Sequence, residues 1–328
     1  MGKLQGMEHP PVAPAPAADP ARPAPAPATR RWALVVRVVV TVAVLVFVAQ
    51  ALARNWASFR SARFEVTLRP GWLALSLLSL LVVSALQIES WRRLLAGWAQ
   101  RLSFLAGMRI WFLANLGRYV PGKVWSVTGM VVLAEEEGVR RWAAAASAVA
   151  VQAVGIGTAA AVVAAATPRA ASPVRLAGAM VLALGSVALL AWEGALPRLG
   201  RLLGASNEWR ALPPLAVLVS SGLTLLSWCA YGCAFWALGR GLGLPPTLPL
   251  ADAAGVFALG YIVGLLVLFA PGGIGVREAT FLALLTPYLG GGGAILLSVA
   301  SRLELTVTET VAALGALALG RPKGNRAT

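Results

Sequence analysis

An arginine and a glutamate side by side, Arg277 and Glu278, follow Pro271, Gly272, Gly273 and Gly275 inside a stretch that is otherwise apolar. Residues 250–270 carry one charged side chain, Asp252, and the chain turns apolar again at Ala279. Proline breaks a helix, and glycines let another group approach the backbone closely. Beside a guanidinium this is anion-recognition chemistry, in which backbone N–H groups bond the anion and the arginine adds charge-assisted, often bidentate contacts. Charge and unpaired backbone are costly in hydrocarbon unless they line a polar cavity or meet partners on neighbouring helices. Two readings stand: a lipid or ion site, and a loop at the membrane surface.

The motif GRYVPGK at residues 117–123 repeats the pattern, with Arg118 and Lys123 flanking Pro121 and Gly122. Its spacing is that of a nucleotide P-loop, but Val124 follows where magnesium binding needs Ser or Thr, and no soluble strand or domain surrounds it. Nucleotide binding is set aside. Anion handling by Arg118, Lys123 and the glycine backbone remains, against the alternative that these groups snorkel to the headgroup layer. Snorkelling is the reading for Arg92, Arg93, Arg140 and Arg141.

Further along, Arg302 and Glu309 stand seven apart and share a helix face, with Ser298 one turn before Arg302. Such a stripe on a spanning helix faces the protein interior. Arg302 is expected to pair with Glu309, Glu278 or Asp252, as a structural ion pair or as part of a ligand site. The run of glutamates at 135–137 reads as solvated beside nearby arginines. Gly260 and Gly264 form a small-xxx-small pair that admits a close helix neighbour and argues for packing, leaving a homo-oligomer open.

The elements that must hold these groups are membrane helices. The chain is 58% hydrophobic and 12% charged, with several runs long enough to cross a bilayer. Six spans are predicted at 32–53, 72–91, 142–167, 174–192, 213–238 and 292–320. Trp32, Trp72, Trp91, Trp142 and Trp192 fall at their ends, where an interfacial belt is expected. Residues 104–119 are only about 24 Å long as a helix, short of the roughly 30 Å hydrocarbon core. They stop at Pro121-Gly122 and a second apolar piece, 124–134, follows. Residues 250–270 likewise stop at Pro271 and continue as 279–289. Each pair reads as a re-entrant hairpin, the alternative being eight full spans.

Six crossings put both termini on one side, and basic residues say which. That side holds four Lys and Arg in residues 1–31, eight in 92–141, three in 193–211 and three in 321–328. The opposite loops hold four in 54–71, two in 168–175 and one in 239–249. The positive-inside rule then makes both termini cytoplasmic, and the two hairpins enter from opposite faces with their tips approaching each other, as in inverted-repeat transporters. This distribution also accounts for the net charge of +15, so nucleic acid is not the expected partner.

Residues 1–31, nearly all Pro and Ala from His9 to Ala28, form a tail that cannot bury a core and is expected to be disordered. The run at 32–53 is too long for a signal-peptide core. One membrane domain, 32–320, follows, and then a short basic tail, 321–328. The single histidine, His9, lies in the tail, so His-based acid/base catalysis and His/Cys zinc sites are not expected. Cys229 and Cys233, four apart on one helix, read as packing residues.

Taken in order, RYVPGKVW at 118–125, Gly138-Val139 before a small-residue span, PGGIGVRE at 271–278 and Arg302-Leu303 resemble the lysylphosphatidylglycerol synthase transmembrane family, also described as flippase-like. The likeness runs from about residue 32 to the last span. It implies a membrane domain that moves aminoacylated phosphatidylglycerol between leaflets, working with a separate lipid-modifying enzyme. With eight residues after the last span, no synthetase domain is expected here. One departure is Gln152-Ala153, where the family often carries an acidic residue and an arginine.

The expectation is an all-α, polytopic membrane helical bundle that assists transbilayer movement of an anionic or aminoacylated phospholipid at the cell membrane, without enzymatic activity and without a cofactor or metal. Arg118, Lys123 and Arg277 would contact phosphate, and Gly122, Gly272, Gly273 and Gly275 would admit it. Glu278, Asp252 or Glu309 would balance charge or meet a cationic headgroup. The competing readings are a membrane transferase using an intramembrane carboxylate as base, and a non-transporting partner of a lipid synthetase.

Overall fold

The computed structural model describes residues 67–116, 124–166, 173–202, 204, 209–266 and 275–318. The tails, the predicted first span at 32–53 and both Pro-Gly tips, 117–123 and 267–274, lie outside the described residues.

Among those residues every regular element is a helix: α1 Pro70–Gly97, α2 Phe104–Leu116, α3 Val124–Glu136, α4 Arg141–Ala165, α5 Pro173–Ala191, α6 Ala195–Leu202, α7 Pro214–Gly241, α8 Leu250–Leu266 and α9 Val276–Ala318. Four of them, α1, α4, α7 and α9, are long and apolar enough to cross a membrane, and a fifth span results if α5 and α6 are joined across their 72° bend. The protein is a helical membrane bundle. At 13 residues each, α2 and α3 reach only about 20 Å. They pack on each other, as two arms of one short hairpin would.

The frame is the pair α1 and α7, each 28 residues long and each opened by a proline at its first turn, where the missing N–H costs nothing. They run antiparallel in an ungapped register. Arg69 N–H donates to Gly241 C=O at 2.9 Å, Ser76 Oγ donates to Ala234 C=O at 2.8 Å, and Ser90 Oγ lies 2.7 Å from Ser220 Oγ. A seven-residue step on one helix matches a seven-residue step back on the other, which keeps one face at the seam. The contacts are hydroxyls because two apolar helices in lipid gain little from hydrophobic burial, whereas each interhelical hydrogen bond contributes about 0.6–2 kcal/mol.

The small-residue helix α4 packs against α1, α3, α5, α7 and α8. Its hydroxyls receive tryptophans from two neighbours: Trp91 Nε1 donates to Ser147 at 2.9 Å and Trp228 Nε1 to Thr158 at 3.1 Å. Trp91, expected at a membrane interface, is fully buried, because α1 continues to Gly97 and leaves the ring nearly two turns inside the helix. The 193–211 loop contains a further difference. It forms the short helix α6, with Leu196 buried and the Arg198 guanidinium 4.3 Å from the Trp192 ring centroid.

Helix α9 carries a break at Gly290, whose φ of 67° and ψ of 169° leave the helical region, so it consists of two arms, 276–289 and 291–318. This matches the predicted separation of 279–289 from 292–320. Leu303, Val307, Val311 and Leu314 on the second arm are 57–62% exposed and lie on one face, the surface that a lipid-facing helix presents.

Candidate functional site

The chemistry of the PGGIGVRE segment begins with one dihedral. Gly275 has φ 88°, a conformation that disfavours any side chain, and it stands immediately before the first residue of α9. Glu278, three residues on, folds its carboxylate back to accept the Gly275 N–H at 2.6 Å, satisfying one of the donors that a helix start leaves open. The other carboxylate oxygen accepts Nη1 of Arg302. Of the three acids considered for Arg302, it is thus Glu278 that pairs with it, across the bend of α9.

Arg277 points elsewhere. Its guanidinium carbon sits 4.6 Å from the Phe257 ring centroid and 5.0 Å from that of Phe281, so two aromatic faces hold the planar fork. Phe281 can lie there because Gly260 has no side chain: a Cβ at Gly260 would come within 2.3 Å of the Phe281 ring. Gly260 thus serves packing of α8 on α9, as its place in the small-xxx-small pattern suggests. Phe281 belongs to an aromatic cluster that runs through Phe235, Phe257, Tyr231, Trp228 and Tyr261.

Asp252, 5% exposed in the first turn of α8, accepts the Tyr288 hydroxyl at 2.8 Å. It anchors the residue two before the α9 break rather than balancing Arg302 or Arg277. Glu309 occupies a different place. With Gln87 of α1, Asn115 and Trp111 of α2, Tyr231 of α7 and Thr308 it lines a small cleft whose remaining wall is mostly aliphatic. Four helices bring their polar groups to this one space. Among the described residues no group of three or more His, Cys, Asp and Glu could hold a metal ion.

A family model described as the lysylphosphatidylglycerol synthase TM region matches residues 34–313. The chain belongs to that family. No curated protein matches it.

For this member of the lysylphosphatidylglycerol synthase transmembrane family, the second signature has a local physical account: Gly275 permits the turn, Glu278 caps the helix and ties its two arms, and Arg277 lies on aromatic rings. Arg118, Pro121, Gly122 and Lys123 of the first motif, with Pro271, Gly272 and Gly273 of the second, lie outside the described residues. At Gln152 the side-chain oxygen accepts the Tyr261 hydroxyl at 2.8 Å and links α4 to α8.

Three of the arginines assigned to snorkelling, Arg92, Arg93 and Arg141, meet acids, as does Arg109. Arg92 and Arg93 both pair with Glu89, Arg109 lies 3.7 Å from Glu137, and Arg141 lies 4.0 Å from Glu135. The cleft itself was missed from sequence, along with Gln87, Asn115 and Thr308. The available signal was a lone amide in each of two apolar helices, since an amide in hydrocarbon needs a polar partner.

Proposed function

We propose that this chain assists the transbilayer movement of an anionic or aminoacylated phospholipid, acting as a carrier and not as an enzyme. The observation that carries the reading is the cleft between α1, α2, α7 and α9, where amide, hydroxyl and carboxylate groups meet within a membrane bundle whose outer faces are aliphatic. A lipid crossing a bilayer pays for dehydrating its headgroup, and polar groups held inside the membrane offset that cost while the acyl chains stay in lipid.

Asn115 stands three residues before Arg118 and eight before Lys123, so the first Pro-Gly motif continues directly from a helix that lines the cleft. In this proposal Arg118, Lys123 and Arg277 meet the phosphate, and the glycines of both motifs let it approach the backbone. The shortness of α2 and α3 favours their forming a re-entrant hairpin, with the second tip entering from the other face. Both termini face the cytoplasm of a cell-membrane protein in this topology, and a separate lipid-modifying enzyme supplies the lipid. Movement is passive or driven by an ion gradient or the membrane potential.

The test is reconstitution into liposomes with a leaflet-specific lipid readout, comparing the wild type with Arg118→Ala and Arg277→Ala. Slower translocation in both variants at equal protein content supports the phosphate role. Unchanged rates in both remove it.

A further inference from the structure

We propose that the second arm of α9, residues 291–318, is a lateral gate of the cleft, pivoting at Gly290 and latched shut by the Arg302–Glu278 ion pair. The inference deepens the lipid-carrier reading and rests on it only for what passes through the gate.

The pivot is built for movement. Gly290 has φ 67°, no atom of the described residues lies within 4 Å of where its side chain would stand, and Gly291, Gly292 and Gly293 follow it. Glycine crosses between backbone regions at little steric cost. The first arm, by contrast, is fixed to α8. The Tyr288 hydroxyl donates to Asp252 at 2.8 Å, Phe281 fills the notch at Gly260, and Arg277 lies on Phe257. Helix α8 is in turn keyed to α7, where a Cβ on Gly232 would come within 2.4 Å of Ala254. The first arm is thus the post of the gate, and residues 291–318 are its leaf.

That leaf forms one wall of the cleft, through Leu305, Thr308 and Glu309. It meets α1 and α2 through Ala313, packed with Ile88 and Phe112. In lipid such an apolar contact resists separation weakly, because acyl chains replace the lost neighbours, whereas parting a charged pair in hydrocarbon is expensive. The ion pair therefore decides whether the leaf can swing. Arg302 and Glu278 each stand twelve residues from Gly290, about 18 Å along a helix, so a swing of about 10° separates them by about 3 Å and breaks the hydrogen bond. The same swing displaces residue 309 by about 5 Å and opens the cleft sideways to the bilayer.

The experiment is double electron–electron resonance on the purified full chain in lipid nanodiscs. Cys229→Ala and Cys233→Ala remove the native thiols, and spin labels go on Val311→Cys in the leaf and Leu105→Cys in α2, both exposed positions. With the ion pair intact, one main distance is expected. Glu278→Gln is expected to add a population about 5 Å longer, the displacement of the leaf at that distance from the pivot. Should Glu278→Gln not purify folded, Arg302→Lys, which keeps the charge but loses the guanidinium fork, is expected to add the same population at lower amplitude. Labels at Ala283→Cys in the first arm and Leu105→Cys are expected to keep their distance in either variant. An unchanged distribution from position 311 in the variant that purifies overturns the proposal, as does an equal shift from position 283, which would mean that α9 moves as a whole. Because distances are read here and not lipid movement, failure of this assay is distinct from failure of the carrier reading.

Discussion

Glu278 and Arg302, 24 residues apart, form an ion pair that closes the bend of α9, while the same carboxylate caps the helix at Gly275. Both side chains are three-quarters or more buried, so the pair is poorly screened and neither partner tolerates losing the other. Glu278→Gln and Arg302→Ala are each expected to cost about 1–3 kcal/mol and lower the melting temperature in detergent. Glu278→Gln should cost less, since the amide still accepts the Gly275 N–H. Melting curves that do not move in either variant would show that the two arms are held by other contacts.

Gly260 gives a packing prediction. Gly260→Ala forces the Phe281 ring to move by more than a small adjustment, at about 1–3 kcal/mol. Phe281→Leu in the same chain should recover part of the loss by vacating the space. Equal stability of the single and double variants would count against the close approach.

The buried indole of Trp91 can be tested by a double-mutant cycle with Ser147. Trp91→Phe and Ser147→Ala should each cost stability, with a coupling of about 0.5–1.5 kcal/mol for the shared hydrogen bond. Additive losses would mean the bond contributes nothing.

Much of this fold could be read from sequence, for a clear reason. Hydropathy records how long an apolar run is, and the predicted spans at 72–91, 142–167, 174–192, 213–238 and 292–320 all correspond to helices. Glycine recorded the break at Gly290. Hydropathy does not record partners. The α1–α7 seam depends on hydroxyls at Ser76, Ser90 and Ser220, which in sequence are ordinary small residues of membrane helices. Trp91 was misplaced because the same residue suits an interface and a buried hydroxyl partner equally well. At the site, the pairing of Arg302 with an acid was legible from the cost of an isolated charge in lipid, yet three acids were available and only the folding of α9 on itself selects Glu278. Asp252 goes to Tyr288 for the same reason: its nearest donor in space is 36 residues away in sequence. The cleft draws on four separated helices, none of which shows it alone.

Arg277 carries a prediction of its own. Arg277→Lys retains the charge but loses the planar stacking on Phe257 and Phe281, so it should translocate lipid more slowly than wild type and faster than Arg277→Ala. Identical rates for Lys and Arg would reduce the role of the residue to charge alone.

The central claim is that this chain moves phospholipid across a bilayer, and its most direct measurement is leaflet exchange in liposomes reconstituted with the purified wild-type protein. A panel of labelled phosphatidylglycerol, aminoacylated phosphatidylglycerol and phosphatidylcholine should show exchange well above protein-free liposomes for at least one of the first two, and faster than for phosphatidylcholine. Exchange no faster than in protein-free liposomes for every lipid would contradict the account.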